Sequence, residues 1–185
     1  ILLGMGCEVL AYDLFQSKEA IEMGVKYVDT VEELLPKCQI VTLHCPLMDD
    51  TYHLMNDEKF NLMKRGSMLV NTSRGGLVDT AALGRALDTQ KIACVGMDVY
   101  EHEAGLFFED KSEETDATPG SSLSPDWDLG LSALASRPNV LVTSHQAFLT
   151  AEALGNIAST TVDNLMEFAG GGGEGGKYVN EVVGH

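Results

Sequence analysis

Apolar residues along the chain follow two alternating patterns. Short runs dominated by apolar and β-branched residues read as strands at residues 8–13, 27–28, 39–44, 67–72, 92–99 and 140–143. Between them, amphipathic stretches read as helices at about residues 17–23, from Thr30 onward, from Asn56 to Lys64, from Asp79 to Thr89 and from about Thr150 to Phe168. Thr30 with Glu33 three residues on has the form of a capping box, and Asn56 is a suitable cap for its own helix. Strand–helix alternation with strands apolar on both faces implies a parallel sheet covered by helices on each side. Right-handed crossovers then make a doubly wound α/β fold the default.

Two stretches break the pattern. Residues 101–128 hold nine acids against the single Lys111, with Ser, Pro and Gly interleaved, and read as a solvated acidic excursion loop reaching to about residue 130. The run Gly170-Gly171-Gly172-Gly173-Glu174-Gly175-Gly176 reads as a flexible linker after the last helix. The expected division is therefore an α/β domain over residues 1–168, then a linker and C-terminal segment over 169–185.

Charge and composition narrow the partners. The 185 residues carry 12 Lys and Arg against 28 Asp and Glu, a formal charge of −16, with 44% hydrophobic and 22% charged residues. That composition is ordinary for a soluble globular domain and excludes a disordered tail, a collagen repeat and a disulfide-stapled miniprotein. The acidity argues against DNA, RNA or an anionic membrane surface as partner. No apolar run approaches the roughly 18 residues that a membrane helix needs. Cys7, Cys38, Cys45 and Cys94 form no CxxC pair and read as buried reduced thiols of a cytosolic protein. No two histidines have metal-ligand spacing with acids, so no metal is expected. The chain opens on Ile1 rather than methionine, which reads as a processed chain or a piece of something longer.

In open α/β sheets ligands bind beyond the carboxyl ends of the strands. Those ends carry Asp13, His44, Thr72-Ser73-Arg74, Asp98 with Glu101 and Glu103 just beyond, and Ser144-His145, although the strand interiors are almost wholly apolar. Asp13 stands where a dinucleotide-binding unit places its acid for the adenosine ribose; alternatively it is an exposed acid opening a turn. The Gly-rich phosphate loop that such a unit carries about 20 residues upstream is not among the 12 residues before Asp13. Arg74, between a strand end and Gly75-Gly76, can present a rigid fork to a planar carboxylate, or instead pair with Asp79. His145 is a candidate proton-transfer group or a structural cap. Glu103 is its candidate partner or one more surface acid. His44 is expected to line the cleft, and His53, His102 and His185 to be surface groups.

The motifs Val9-Leu10-Ala11-Tyr12-Asp13, Leu43-His44-Cys45-Pro46, Val70-Asn71-Thr72-Ser73-Arg74-Gly75-Gly76-Leu77-Val78-Asp79, Met97-Asp98-Val99-Tyr100-Glu101-His102-Glu103 and His145-Gln146-Ala147-Phe148-Leu149-Thr150 occur in this order. Five spaced motifs resemble the D-isomer-specific 2-hydroxyacid dehydrogenases up to about residue 168. Tyr100 and the phrase from His145 to Leu154 resemble the D-lactate dehydrogenase branch. The resemblance implies a Rossmann-like NAD-binding domain, here without its first strand and Gly-rich loop. It further implies that Arg74 binds the substrate carboxylate and polarises the 2-oxo or 2-hydroxyl group, that His145 is the acid/base, and that Glu103, rather than Glu101, holds His145 charged and oriented. Asp13 would take the adenosine ribose and favour NAD over NADP. Cys45, Pro46, Thr51, Thr72, Ser73, Arg74 and Asp98 would line the cofactor site.

The expectation is thus hydride transfer between NAD(H) and a small D-2-hydroxyacid/2-oxoacid pair, D-lactate and pyruvate first, in a cytoplasmic protein that pairs as a homodimer in its full-length form. Two alternatives stand beside it. One is an NADH-sensing corepressor-type binding module of the same family, disfavoured by the phrase after His145 and by the lack of a basic or peptide-groove signature. The other is an inactive truncated fragment. With half the cleft and the pyrophosphate loop outside these residues, the 185-residue chain alone is expected to bind NAD poorly and to turn over little.

Overall fold

The computed structural model describes residues 1–103, 106 and 128–170. It falls into two compact units, Ile1–His145 and Gln146–His185. Most of the acidic excursion and the stretch after Gly170 lie outside the described residues.

The first unit alternates strands and helices as the hydrophobic pattern demands. A two-stranded parallel pair is formed by β1 (Leu10–Ala11) and β2 (Lys26–Tyr27), joined through α1 (Lys18–Glu22). Next come α2 (Val31–Leu34), β3 (Ile40–Leu43), α3 (Asp57–Leu62), β4 (Ser67–Asn71), α4 (Thr80–Asp88), β5 (Ile92–Met97), α5 (Leu129–Ala135) and β6 (Val140–Val142). Strands β3 to β6 form a four-stranded parallel sheet in the order β3-β4-β5-β6. The second unit's described part is α6 (Ala151–Ala169), capped by Thr150, whose hydroxyl accepts from Ala153 N at 3.1 Å.

Each helix begins where a short polar side chain satisfies a backbone N–H that has no partner in the first turn. Ser17, Thr30, Asn56, Asp79 and Asp128 all accept from the N–H three residues on. The box at Thr30 is shifted by one position. Glu33 reaches the N–H of Asp29, one residue before the cap, at 3.3 Å. Helix α5 begins at Asp128, inside the stretch whose composition reads as loop, so the excursion ends two residues earlier than its composition indicates.

The order of the four strands decides where the core sits. Each crossover from β3 to β6 advances one strand in the same direction, and right-handed connections then drop every helix on the same face. Across the sheet, Val41, Leu69 and Val95 share one row and Leu43, Asn71 and Met97 the next. The apolar members of these rows meet Phe60 of α3, Ala82, Leu83, Ala86 and Leu87 of α4 and Leu134 of α5 in one buried cluster. On the opposite face of these four strands, Ile40 is 56% and Leu141 65% exposed. Three of the four cysteines are half-buried and Cys7 is exposed, so the buried-thiol expectation fails for Cys7; all four are free. Burial pushes the Cys45 thiol above its usual value.

Leu69→Ala, at a fully buried row centre, is expected to cost about 2–5 kcal/mol, against less than about 1 kcal/mol for Leu141→Ala. Urea unfolding with unchanged m-values would check this; equal losses would contradict the one-sided core.

Candidate active site

Because all four strands run the same way, their carboxyl ends share one edge, and the loops leaving that edge carry the polar residues. Three of those loops are held together by backbone contacts before any side-chain chemistry enters.

The loop after β4 is the centre. Asn71, only 3% exposed, donates through its side-chain amide to the Arg74 carbonyl at 2.9 Å and accepts from Ser73 N at 3.1 Å, folding residues 72–74 into a tight turn. Ser73 Oγ donates to the Cys45 carbonyl at 2.6 Å, which ties the loop to the end of β3. A turn of 3-10 helix, Gly75–Leu77, follows and leads into α4. A methyl on Gly75 would overlap the Tyr100 carbonyl and the Glu101 nitrogen, so only glycine lets the two loops approach this closely. On the other side, His53 N donates to the Gly76 carbonyl at 2.8 Å and Met55 N to the Leu77 carbonyl at 2.9 Å.

Arg74 itself is exposed and donates to the Ser73 carbonyl at 2.8 Å. Asp79, its alternative partner, instead caps α4 through Ala82 N at 2.9 Å. The guanidinium therefore forms no ion pair among the described residues.

The loops after β5 and β6 meet at an imidazole–carboxylate pair. His145 Nδ1 lies 2.8 Å from Glu103 Oε1, with side chains 25% and 19% exposed. The other Glu103 oxygen accepts from Tyr100 N at 2.9 Å, which locks the carboxylate onto its own turn. His145 has φ +53°, a left-handed conformation costing roughly 1–3 kcal/mol for a non-glycine residue, and its N–H donates to the Asp98 carbonyl at 2.6 Å. Asp98 is 3% exposed, and its Oδ1 accepts from Thr143 Oγ1 at 2.6 Å. The β5 and β6 ends are thereby joined twice, once through backbone and once through side chains.

The remaining candidates follow β1, β3 and β4. Asp13 follows β1, is exposed, and turns the chain by accepting from Phe15 N at 2.8 Å. Thr51 shapes the loop after β3 by donating to the Pro46 carbonyl at 2.8 Å while accepting from Met48 N at 2.7 Å. Cys45 is half-buried; Pro46, Thr72 and His44 are exposed, and His44 Nε2 lies 2.9 Å from Thr42 Oγ1. The set suits a dinucleotide: an exposed carboxylate after β1, small hydroxyls after β3 and β4, and a buried acid after β5.

One cluster is invisible in the sequence. His53, which reads there as a surface group, is half-buried and adopts φ +51°. Its Nε2 lies 2.5 Å from Glu101 Oε1, and its ring stacks on Tyr52 at 3.9 Å. Tyr52 Oη donates to the same oxygen at 3.1 Å, and Thr80 N donates to Glu101 Oε2 at 3.2 Å. Burial opposes ionisation of Glu101, but the donors His53, Thr80 and Tyr52 outweigh it and hold the carboxyl below its usual range. No spacing signals a contact between residues 48 positions apart. At the far end of this loop, burial and then a hydrogen bond to Asp128 at 2.8 Å push the Tyr100 phenol well above its ordinary value. No group of three or more His, Cys, Asp or Glu among the described residues is placed to hold a metal ion, and no described helix is long and apolar enough to cross a membrane.

Residues 1–147 match the family model described as D-isomer specific 2-hydroxyacid dehydrogenase, NAD binding domain. The chain is 49% identical over 165 residues to the D-lactate dehydrogenase of Escherichia coli (strain K12), covering 89% of this chain and 47% of that protein. Among solved structures, that of the pyruvate reductase of Chlamydomonas reinhardtii superposes with a TM-score of 0.84 at 45% identity, covering 94% of this chain and 50% of its own. The D-lactate dehydrogenase with NAD+ from Lactobacillus jensenii gives a TM-score of 0.81 at 31% identity, covering 99% and 50%. The chain spans about half the length of the relatives it matches.

Gly75→Ala is expected to destabilise the fold by about 2 kcal/mol or more, whereas Gly84→Ala, in open space inside α4, should stabilise by about 0.5–1 kcal/mol. Thermal melts of the two variants compare them directly. A carboxyl whose folded pKa is lowered contributes stability above its unfolded value of about 4.3, and loses it as pH falls through the folded value. The parent should therefore lose stability more steeply than Glu101→Gln below about pH 4.3 in melts taken across the acid range.

Proposed function

Since the chain belongs to the D-isomer-specific 2-hydroxyacid dehydrogenase family, we propose that it supplies the NAD-binding half of an oxidoreductase acting on a small D-2-hydroxyacid/2-oxoacid pair, D-lactate and pyruvate first. The observation that carries this reading is the His145–Glu103 contact on the same sheet edge as Arg74. The names of the relatives, D-lactate dehydrogenase and pyruvate reductase, support the choice of substrate.

NAD, when bound, supplies the hydride acceptor or, reduced, the donor. Asp13 would hold the adenosine ribose, and Cys45, Pro46, Thr51, Thr72, Ser73, Arg74 and Asp98 would line the rest of the cofactor site. Arg74 grips the substrate carboxylate through two parallel N–H donors and polarises the 2-oxygen. His145, with Nδ1 engaged by Glu103, presents Nε2 to that oxygen. In reduction it donates the proton that turns the developing alkoxide into a hydroxyl, and in oxidation it accepts the same proton back. Glu103, fixed to Tyr100 N, keeps the ring in one orientation, so that Nε2 faces the 2-oxygen throughout the reaction.

The same reading places the protein in the cytoplasm as a homodimer that engages neither nucleic acid nor membrane. The acidity supports the last part, since a −16 chain repels polyanions. The corepressor-type module of the same family remains the second reading, and turnover separates the two.

Assays of the protein carrying this chain with pyruvate and NADH should show turnover to D-lactate. Arg74→Gln should lower kcat/KM by about 10³-fold and His145→Gln by about 10²–10⁴-fold. Rates for Arg74→Gln equal to the parent would remove Arg74 from the mechanism.

A further inference from the structure

The Arg74 loop lies between two other loops, and one buried carboxylate joins both of its neighbours. On one side, His53 and Met55 bond the carbonyls of Gly76 and Leu77; on the other, the backbone of Tyr100 and Glu101 occupies the space a side chain on Gly75 would need. Glu101 closes the gap between these layers. Its side chain is 9% exposed. One oxygen takes His53 Nε2 and Tyr52 Oη from the loop after β3, and the other takes Thr80 N at the start of α4. Two residues later, on the same turn, stands Glu103, already fixed to Tyr100 N and to His145.

We propose that Glu101 is a positioning residue: its carboxylate, held by His53, Tyr52 and Thr80, sets the Arg74 loop in register with the turn that presents Glu103 to His145. The proposal rests on the reading of Arg74 and His145 above and adds a device that determines their relative placement. A surface acid would not need three donors from two other segments, two of them on a single oxygen. Nor would a purely local cap place His53 in a left-handed conformation with its N–H on the Gly76 carbonyl and its ring on Glu101. The chain bends at His53 so that one residue grips the Arg74 loop through its backbone and the Glu101 turn through its side chain.

The chemistry of the contact explains why a carboxylate is required. All three groups facing Glu101 are donors, and an ionised carboxylate is acceptor-only. A glutamine of the same shape turns an N–H toward His53 or Thr80, both part-buried, and leaves that donor without its acceptor. Relief of that conflict separates the layers, and displacement of a reacting group by about 1 Å is enough to cost on the order of 10²-fold in rate.

The test is Glu101→Gln in the full-length protein, beside His53→Gln, which keeps one N–H donor for Glu101. Glu101→Gln should lower kcat/KM for pyruvate by about 10- to 100-fold, with KM raised and kcat reduced, while the dissociation constant for NADH stays within about twofold. His53→Gln should retain most of the parent rate. Hydrogen exchange read by mass spectrometry supplies a measure that needs no turnover: amides of residues 75–78 should exchange at least about tenfold faster in Glu101→Gln, with those of β5 unchanged. If the parent itself fails to turn over pyruvate, the proposed function fails, and the exchange pattern alone decides for or against the clamp. Unchanged kinetics and exchange in Glu101→Gln, or NADH affinity falling in step with kcat/KM, would overturn the positioning role.

Discussion

Gly75 has no side chain, and the backbone of Tyr100 passes through the space where one would be. That close approach brings the Arg74 loop against the turn carrying Glu101 and Glu103, and most of what is distinctive about the site follows from it. The glycine cannot hold the contact alone, because it contributes no side chain of its own. Asn71, Ser73, His53 and Glu101 hold it from around the rim, each by a hydrogen bond to the loop or to the turn that faces it.

The parallel sheet makes the arrangement possible and fixes its electrostatics. Identical strand direction collects the loops on one edge, and that edge is rich in acids in a chain of formal charge −16. Each acid that is buried or partly buried there is given a donor. Asp98 has Thr143, Glu101 has His53, Tyr52 and Thr80, Glu103 has Tyr100 N and His145, and Asp128 has Tyr100 Oη and Leu131 N. Burying a carboxylate without such partners costs several kcal/mol. With them, the acids become fixed acceptors that hold loops together, and Arg74 remains exposed on the edge without a carboxylate partner among the described residues.

The strands and helix starts were legible because local rules govern them. Apolar runs gave β3, β4 and β5 to within one or two residues, and Ser, Thr, Asn or Asp stands at the head of every described helix. The residues at the strand ends were legible for the same reason, since polar groups stand out where apolar runs stop. What composition concealed was long-range. Helix α5 follows an acidic, Gly- and Pro-bearing stretch that masks it, and the His53–Glu101 contact spans 48 positions. Positive φ at His53 and His145 was equally hidden, because histidine adopts it more often than most residues yet still only in a small minority of cases.

In the proposed function, three loops held in register by Gly75 and Glu101 present Arg74 and His145 to a single small substrate. A crystal structure of the full-length protein with NADH and oxamate, a non-reacting isostere of pyruvate, tests it most directly. The oxamate carboxylate should lie on the Arg74 guanidinium and His145 Nε2 about 3 Å from the 2-oxygen, with Nδ1 still on Glu103. Oxamate bound away from Arg74, or His145 turned from Glu103 in the complex, would contradict it.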